Sequence, residues 1–102
     1  MHLTQPEKDD IKRALAVSLR DESEITKIVV FGSFLTDSDP HDLDVAIFQN
    51  SNQTYLPLAM KYRRKTRMLA KRITLDILPL KTGVQDSVML NAIAHGEVIY
   101  EK

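Results

Sequence analysis

The chain contains no cysteine in its 102 residues, which excludes a disulfide framework and any thiolate-bound metal and suits a reducing cytoplasm. No apolar stretch reaches membrane-spanning length, and the start, Met1 to Glu7, lacks the basic and apolar regions of a signal peptide. A cytoplasmic protein without a membrane association is therefore expected. Internal repeats and low-complexity tracts are also missing, which excludes solenoid and linker architectures. Net charge is zero, but the balance is uneven along the chain. Residues 1–50 carry five Lys or Arg against ten Asp or Glu, whereas residues 51–102 carry nine against four.

What is present fits one small domain spanning residues 1–102, with 43 % hydrophobic residues arguing against disorder. Apolar spacing predicts a helix over 5–20, a strand over 26–31, a short helical turn after Ser33 and a strand over 42–48. A polar loop over 49–53, a helix over 55–71 and a strand over 73–80 follow. A helix over 84–94, with Thr82 as N-cap and Gly96 beyond its end, and a short strand over 98–100 complete the chain. This order implies an α/β (α+β) fold, a small mixed sheet flanked by helices.

The chemistry concentrates between residues 30 and 47. Ile28, Val29, Val30 and Phe31 run in succession as in a strand buried on both faces. Gly32 ends that run with a residue suited to a tight turn and close ligand approach, and Ser33 adds a hydroxyl beside backbone N–H groups, a corner that suits phosphate oxygens. In the next run Asp42, Asp44 and Ala46 alternate with Leu43, Val45 and Ile47, so both carboxylates project from one face of a strand. Side by side they repel unless a cation neutralises them, which makes the pair a metal site or a cost to folding. A third acid, Asp76, interrupts the apolar run Ile73 to Leu80 and needs a partner if buried.

On Gly32–Ser33, Asp42-x-Asp44 and Asp76 the chain resembles the nucleotidyltransferase superfamily related to DNA polymerase beta. Within it the resemblance is to the minimal nucleotidyltransferase (MNT) domains paired with HEPN-domain partners. The resemblance implies that Asp42, Asp44 and Asp76 are the catalytic, metal-ligating carboxylates. It implies that they hold two Mg²⁺ ions, that Asp76 helps deprotonate an acceptor hydroxyl, and that Gly32 and Ser33 bind nucleotide phosphates. ATP is the implied nucleoside triphosphate, AMP the group transferred, and a HEPN toxin the implied partner, which would make the chain an antitoxin. Family members commonly place a small-Arg-Gly stretch soon after the Gly-Ser; here Phe34-Leu35-Thr36-Asp37-Ser38 has neither Arg nor Gly, a departure that bears on rate more than on fold.

A reading of another class is a non-catalytic antitoxin, a binding module that neutralises a HEPN ribonuclease by complex formation. The two separate on whether the carboxylates are needed. The basic residues Lys61, Arg63, Arg64, Lys65, Arg67, Lys71 and Arg72 lie on a helical segment whose Leu58, Ala59, Tyr62, Thr66, Leu69 and Ala70 form an apolar stripe. A solvated outer face is the simpler reading, and a patch for a triphosphate, RNA or an acidic partner the sharper one; an oligomer is also compatible. His41 beside Asp42 is read as a solvated loop residue, His2 and His95 as surface or structural, and Met60, Met68 and Met89 with Tyr62 as core filling. Tyr55 and Tyr100 show no base-stacking pattern. A calcium loop through Asp37, Asp39, Asp42 and Asp44 fails on spacing.

Overall fold

The computed structural model describes residues 2–84 and 87–102. Helix α1 (Gln5–Leu19) opens on a capping box, in which the Glu7 N–H donates to the Thr4 hydroxyl at 3.3 Å and the Thr4 N–H donates to the Glu7 carboxylate at 3.0 Å. These bonds satisfy donors that the first turn leaves without partners. There follow β1 (Ile25–Phe31), α2 (Ser33–Thr36), β2 (Asp42–Gln49), α3 (Tyr55–Lys65), α4 (Arg67–Ala70), β3 (Thr74–Lys81), α5 (Ser87–Ala94) and β4 (Glu97–Glu101). The four strands lie in the order β3-β2-β1-β4, with β1 antiparallel to both neighbours and β2 parallel to β3. A parallel pair needs a crossover, and α3 with α4 supplies it. The fold is thus the mixed sheet flanked by helices expected from the order of elements.

Both sheet faces are covered, which is why β1 reads as an unbroken apolar run. One face carries Ile28, Val30, Leu43, Val45, Ile47 and Ile77, packed against Ile11, Leu15 and Leu19 of α1, Phe34 of α2, Leu58 and Tyr62 of α3 and Leu69 of α4. The opposite face holds a smaller cluster of Val29, Ala46, Phe48 and Ile93, the last from α5. Asp44 belongs to that second face, beyond the end of its apolar cluster. No described helix is long and apolar enough to cross a membrane.

Three expectations are corrected. The helix expected over 55–71 breaks at Thr66 (φ −106°, ψ 14°), where the hydroxyl donates to the Tyr62 carbonyl at 2.8 Å and the Arg63 carbonyl at 3.4 Å; such back-bonding competes with the helical ladder. Thr82 caps no helix: its hydroxyl shares a 2.8 Å bond with that of Thr26, and α5 starts at Ser87, residues 85 and 86 lying outside the described set. Met60 and Met68 do not fill the core, being 50 % and 73 % exposed, because the buried sides of α3 and α4 are taken by Leu58, Ala59, Tyr62 and Leu69 and the two methionines lie outside that stripe. The side chain of Met89 lies outside the described set.

An ionic and hydrogen-bonded network fastens α3 to the turn after α1. The buried Tyr62 hydroxyl donates to Glu24 at 2.9 Å, and burial, followed by that bond, pushes its pKa above the ordinary tyrosine range. Lys61 pairs with Glu24 at 2.8 Å and Glu22 at 3.4 Å, and Lys65 with Asp21 at 2.8 Å and Glu22 at 3.2 Å. Tyr62→Phe removes the donor while Glu24 keeps Lys61, so a loss of about 1 kcal/mol is expected, read as a lower urea midpoint at unchanged slope.

Candidate active site

The site begins where β1 stops. Gly32 takes φ +82° and ψ −159°, a region that residues with a Cβ rarely enter. Space imposes the same choice, since a Cβ at this position would overlap the Asp44 Oδ2 atom. The exposed Ser33 then opens α2, whose single turn is held by the fully buried Phe34. The Lys8 amino group donates to the Asp37 carbonyl and stands 5.6 Å from the Phe34 ring centre. The Leu3 N–H donates to the Ser38 carbonyl at 2.9 Å. The corner is therefore fastened from below and its outer side left open.

The sheet register sets the carboxylates. Phe31 lies opposite Asp44 across β1 and β2, Asp44 lies beside Asp76 across β2 and β3, and Asp42 lies beside Thr74. Of the expected residues, Gly32 and Asp76 each adjoin Asp44, one from β1 and one from β3. Asp42 shares their face one pleat nearer the start of β2 and is exposed. Burial raises the pKa of Asp44, and the charge of Asp76, a hydrogen bond shared with it and the charge of Asp42 raise it further. The causes are those expected of neighbouring acids.

Among the described residues no three acids or histidines are gathered tightly enough to form a ready-made metal cage. The donor chemistry nevertheless fits a hard divalent cation, because Asp44 and Asp76 offer only carboxylate oxygens and their mutual repulsion is what such a cation relieves. His2, His41 and His95 are all exposed. An open pocket of about 370 Å³ over the carboxylates is lined by Phe31, Asp44, Tyr55, Arg63, Asp76, Ile77 and Leu78. The sequence offers Arg63 only as one of seven basic residues in a patch for a triphosphate, RNA or acidic partner and gives Tyr55 no ligand role; neither is assigned there to the carboxylates. A larger groove of about 660 Å³ on the same sheet face has a lining that includes Val29, Phe48, Leu90 and Ile93, which marks it as the seam between sheet and α5.

The profile of the "Polymerase beta, Nucleotidyltransferase" family matches residues 13–102. The chain belongs to this nucleotidyltransferase family. Its fold is shared by MNT antitoxins solved in complex with HEPN toxins. One is the complex of a tri-AMPylated Shewanella oneidensis HEPN toxin with its MNT antitoxin, 16 % identical with a TM-score of 0.64, the match covering 93 % of this chain and 73 % of that one. Another is the toxin–antitoxin MntA-HepT, 17 % identical with a TM-score of 0.58, covering 92 % of this chain and 73 % of that one. No curated protein matches the chain.

Because Asp44 binds its proton more tightly when folded than when unfolded, stability falls as pH rises from the ordinary value of 3.8 through the raised one. Asp44→Asn removes that loss. Urea unfolding in chelator at a series of pH values should show the variant gaining stability over wild type as pH rises through this window and holding the gain at neutrality.

Proposed function

We propose that this chain is a metal-dependent nucleotidyltransferase that transfers AMP from ATP to a hydroxyl on a HEPN-type partner and acts as its antitoxin. The observation that carries the reading is the placement of Asp44 and Asp76 side by side on neighbouring strands, with Asp44 packed so closely against Gly32 that no side chain fits there. It is supported by membership of the nucleotidyltransferase family and by the fold shared with MNT antitoxins solved with HEPN toxins, one of them tri-AMPylated.

The proposed division of labour follows the sheet. Gly32 and Ser33, at the open corner after β1, receive phosphates of the donor, the glycine because backbone and ligand must approach closely there. Asp42, Asp44 and Asp76 would hold two Mg²⁺ ions, which when bound neutralise charge on the phosphoryl oxygens. Asp76, on the outer strand β3, accepts the proton of the acceptor hydroxyl. The hydroxyl oxygen bonds to the α-phosphorus, the bond from that phosphorus to the bridging oxygen breaks, and pyrophosphate leaves.

Intact-mass spectrometry of a HEPN partner after incubation with this protein, ATP and Mg²⁺ tests the reading. One or more AMP adducts are expected with wild type and none with Asp76→Asn, a variant that folds because deleting one of two repelling charges does not cost stability. Loss of adduct without loss of partner binding would separate chemistry from docking. If wild type neutralises the partner and leaves no adduct, the chain is the binding module instead.

A further inference from the structure

The sequence leaves the Gly32–Ser33 corner without a basic residue, since Phe34-Leu35-Thr36-Asp37-Ser38 follows it. The structure brings a cation to the site by another route. Arg63, in the last turn of α3, lines the same pocket as Asp44 and Asp76. Its surroundings differ from those of Lys61 and Lys65, and among the arginines of the basic run it is the one that lines this pocket. Lys61 and Lys65 are each paired with two acids of the turn after α1, whereas among the described residues the Arg63 guanidinium has no carboxylate partner.

A guanidinium that shares a pocket with two carboxylates, yet is bonded to neither, keeps its full set of donors free. Its planar fork matches the oxygens of a phosphate, and it stays charged at any pH the protein meets. Its position is also defined by the topology. Gly32 borders the site from β1 and Asp76 from β3, the outer strand against which α3 packs, and Arg63 shares the pocket lining with Asp76, Ile77 and Leu78 of that strand.

We propose that Arg63 is a phosphate-binding residue of this site, reaching it from α3 beside the outer strand and supplying the positive charge that the loop after Ser33 does not. This rests on the nucleotidyltransferase reading above. The phosphate is either part of the donor's polyphosphate or the phosphate of a nucleotide already attached to the acceptor; the chemistry recognised is the same.

Calorimetric titration of the whole chain with two probes, ATP with Mg²⁺ and the dinucleotide ApA, decides the matter. Wild type, Arg63→Ala, Arg63→Lys and, as a control, the exposed Arg64→Ala are compared. Arg63→Ala should bind one or both probes at least about tenfold more weakly. Arg63→Lys should recover part of that loss, because a point charge replaces the fork, and Arg64→Ala should match wild type. Weakening confined to ATP assigns Arg63 to the donor, weakening confined to ApA to the acceptor end, and weakening of both to a position that each phosphate reaches. Arg63 is exposed and makes no side-chain bond among the described residues, so its replacement leaves unfolding unchanged. Equal affinity of wild type and Arg63→Ala for both probes overturns the assignment and leaves the enzyme reading standing. Wild type that binds neither probe overturns both.

Discussion

Asp44 and Asp76 occupy adjacent positions on parallel strands, and Gly32 closes over Asp44 so tightly that not even a methyl group fits between them. Two carboxylates brought side by side in this way repel, and each disfavours the ionised form of the other. The fold offsets that cost by placing it at the end of one sheet face and building its main core on the other. Ile11, Leu15, Leu19, Leu58 and Tyr62 are all buried there against Val45 and Ile47, the immediate sequence neighbours of the acidic stretch. Alternation along β2 thus sends the repulsive residues one way and the stabilising ones the other.

That alternation is also why so much of the site could be read before the fold. Asp42, Asp44 and their apolar neighbours carry the strand period in the sequence, and Asp76 stands out as an acid in an apolar run. Gly32 was legible as a turn residue, but its contact with the Asp44 carboxylate was not, because it depends on the register between β1 and β2. The pairing of Asp44 with Asp76 is likewise a property of register between strands separated by two helices. The place of Tyr55 and Arg63 beside the carboxylates was illegible for the same reason: the basic run marks Arg63 as a candidate ligand contact, but nothing local ties either residue to acids 11 or more positions away in sequence.

The misread elements share a cause too. Thr66 lies within an amphipathic pattern that continues to Lys71, and nothing in that pattern shows that its hydroxyl will turn back onto the Tyr62 carbonyl. Met60 and Met68 look like core residues by type, yet their places on the helices fall outside the stripe of Leu58, Ala59, Tyr62 and Leu69 that faces the sheet. The charge imbalance between the halves is partly resolved by folding: Asp21, Glu22 and Glu24 of the acidic half meet Lys61 and Lys65 of the basic half. One side of α3 is therefore a fastening surface, and its charges are unavailable to a ligand.

The consequences of that fastening run toward the site. A parallel β2–β3 pair obliges the connecting segment to return along the sheet, so the end of α3 comes back to the end of the sheet from which β2 and β3 both start, where Asp44 and Asp76 lie. Tyr62 and its bond to Glu24 hold that last turn in place, and the break at Thr66 ends the helix just after Arg63. Lys61, Arg63 and Lys65 alternate along the chain, but only the middle one lines the carboxylate pocket. The end of α3 therefore uses Lys61 and Lys65 to attach the helix and leaves Arg63, which has no carboxylate partner among the described residues, beside the acids, a separation of structural and available charge that the sequence presents as one undivided basic run.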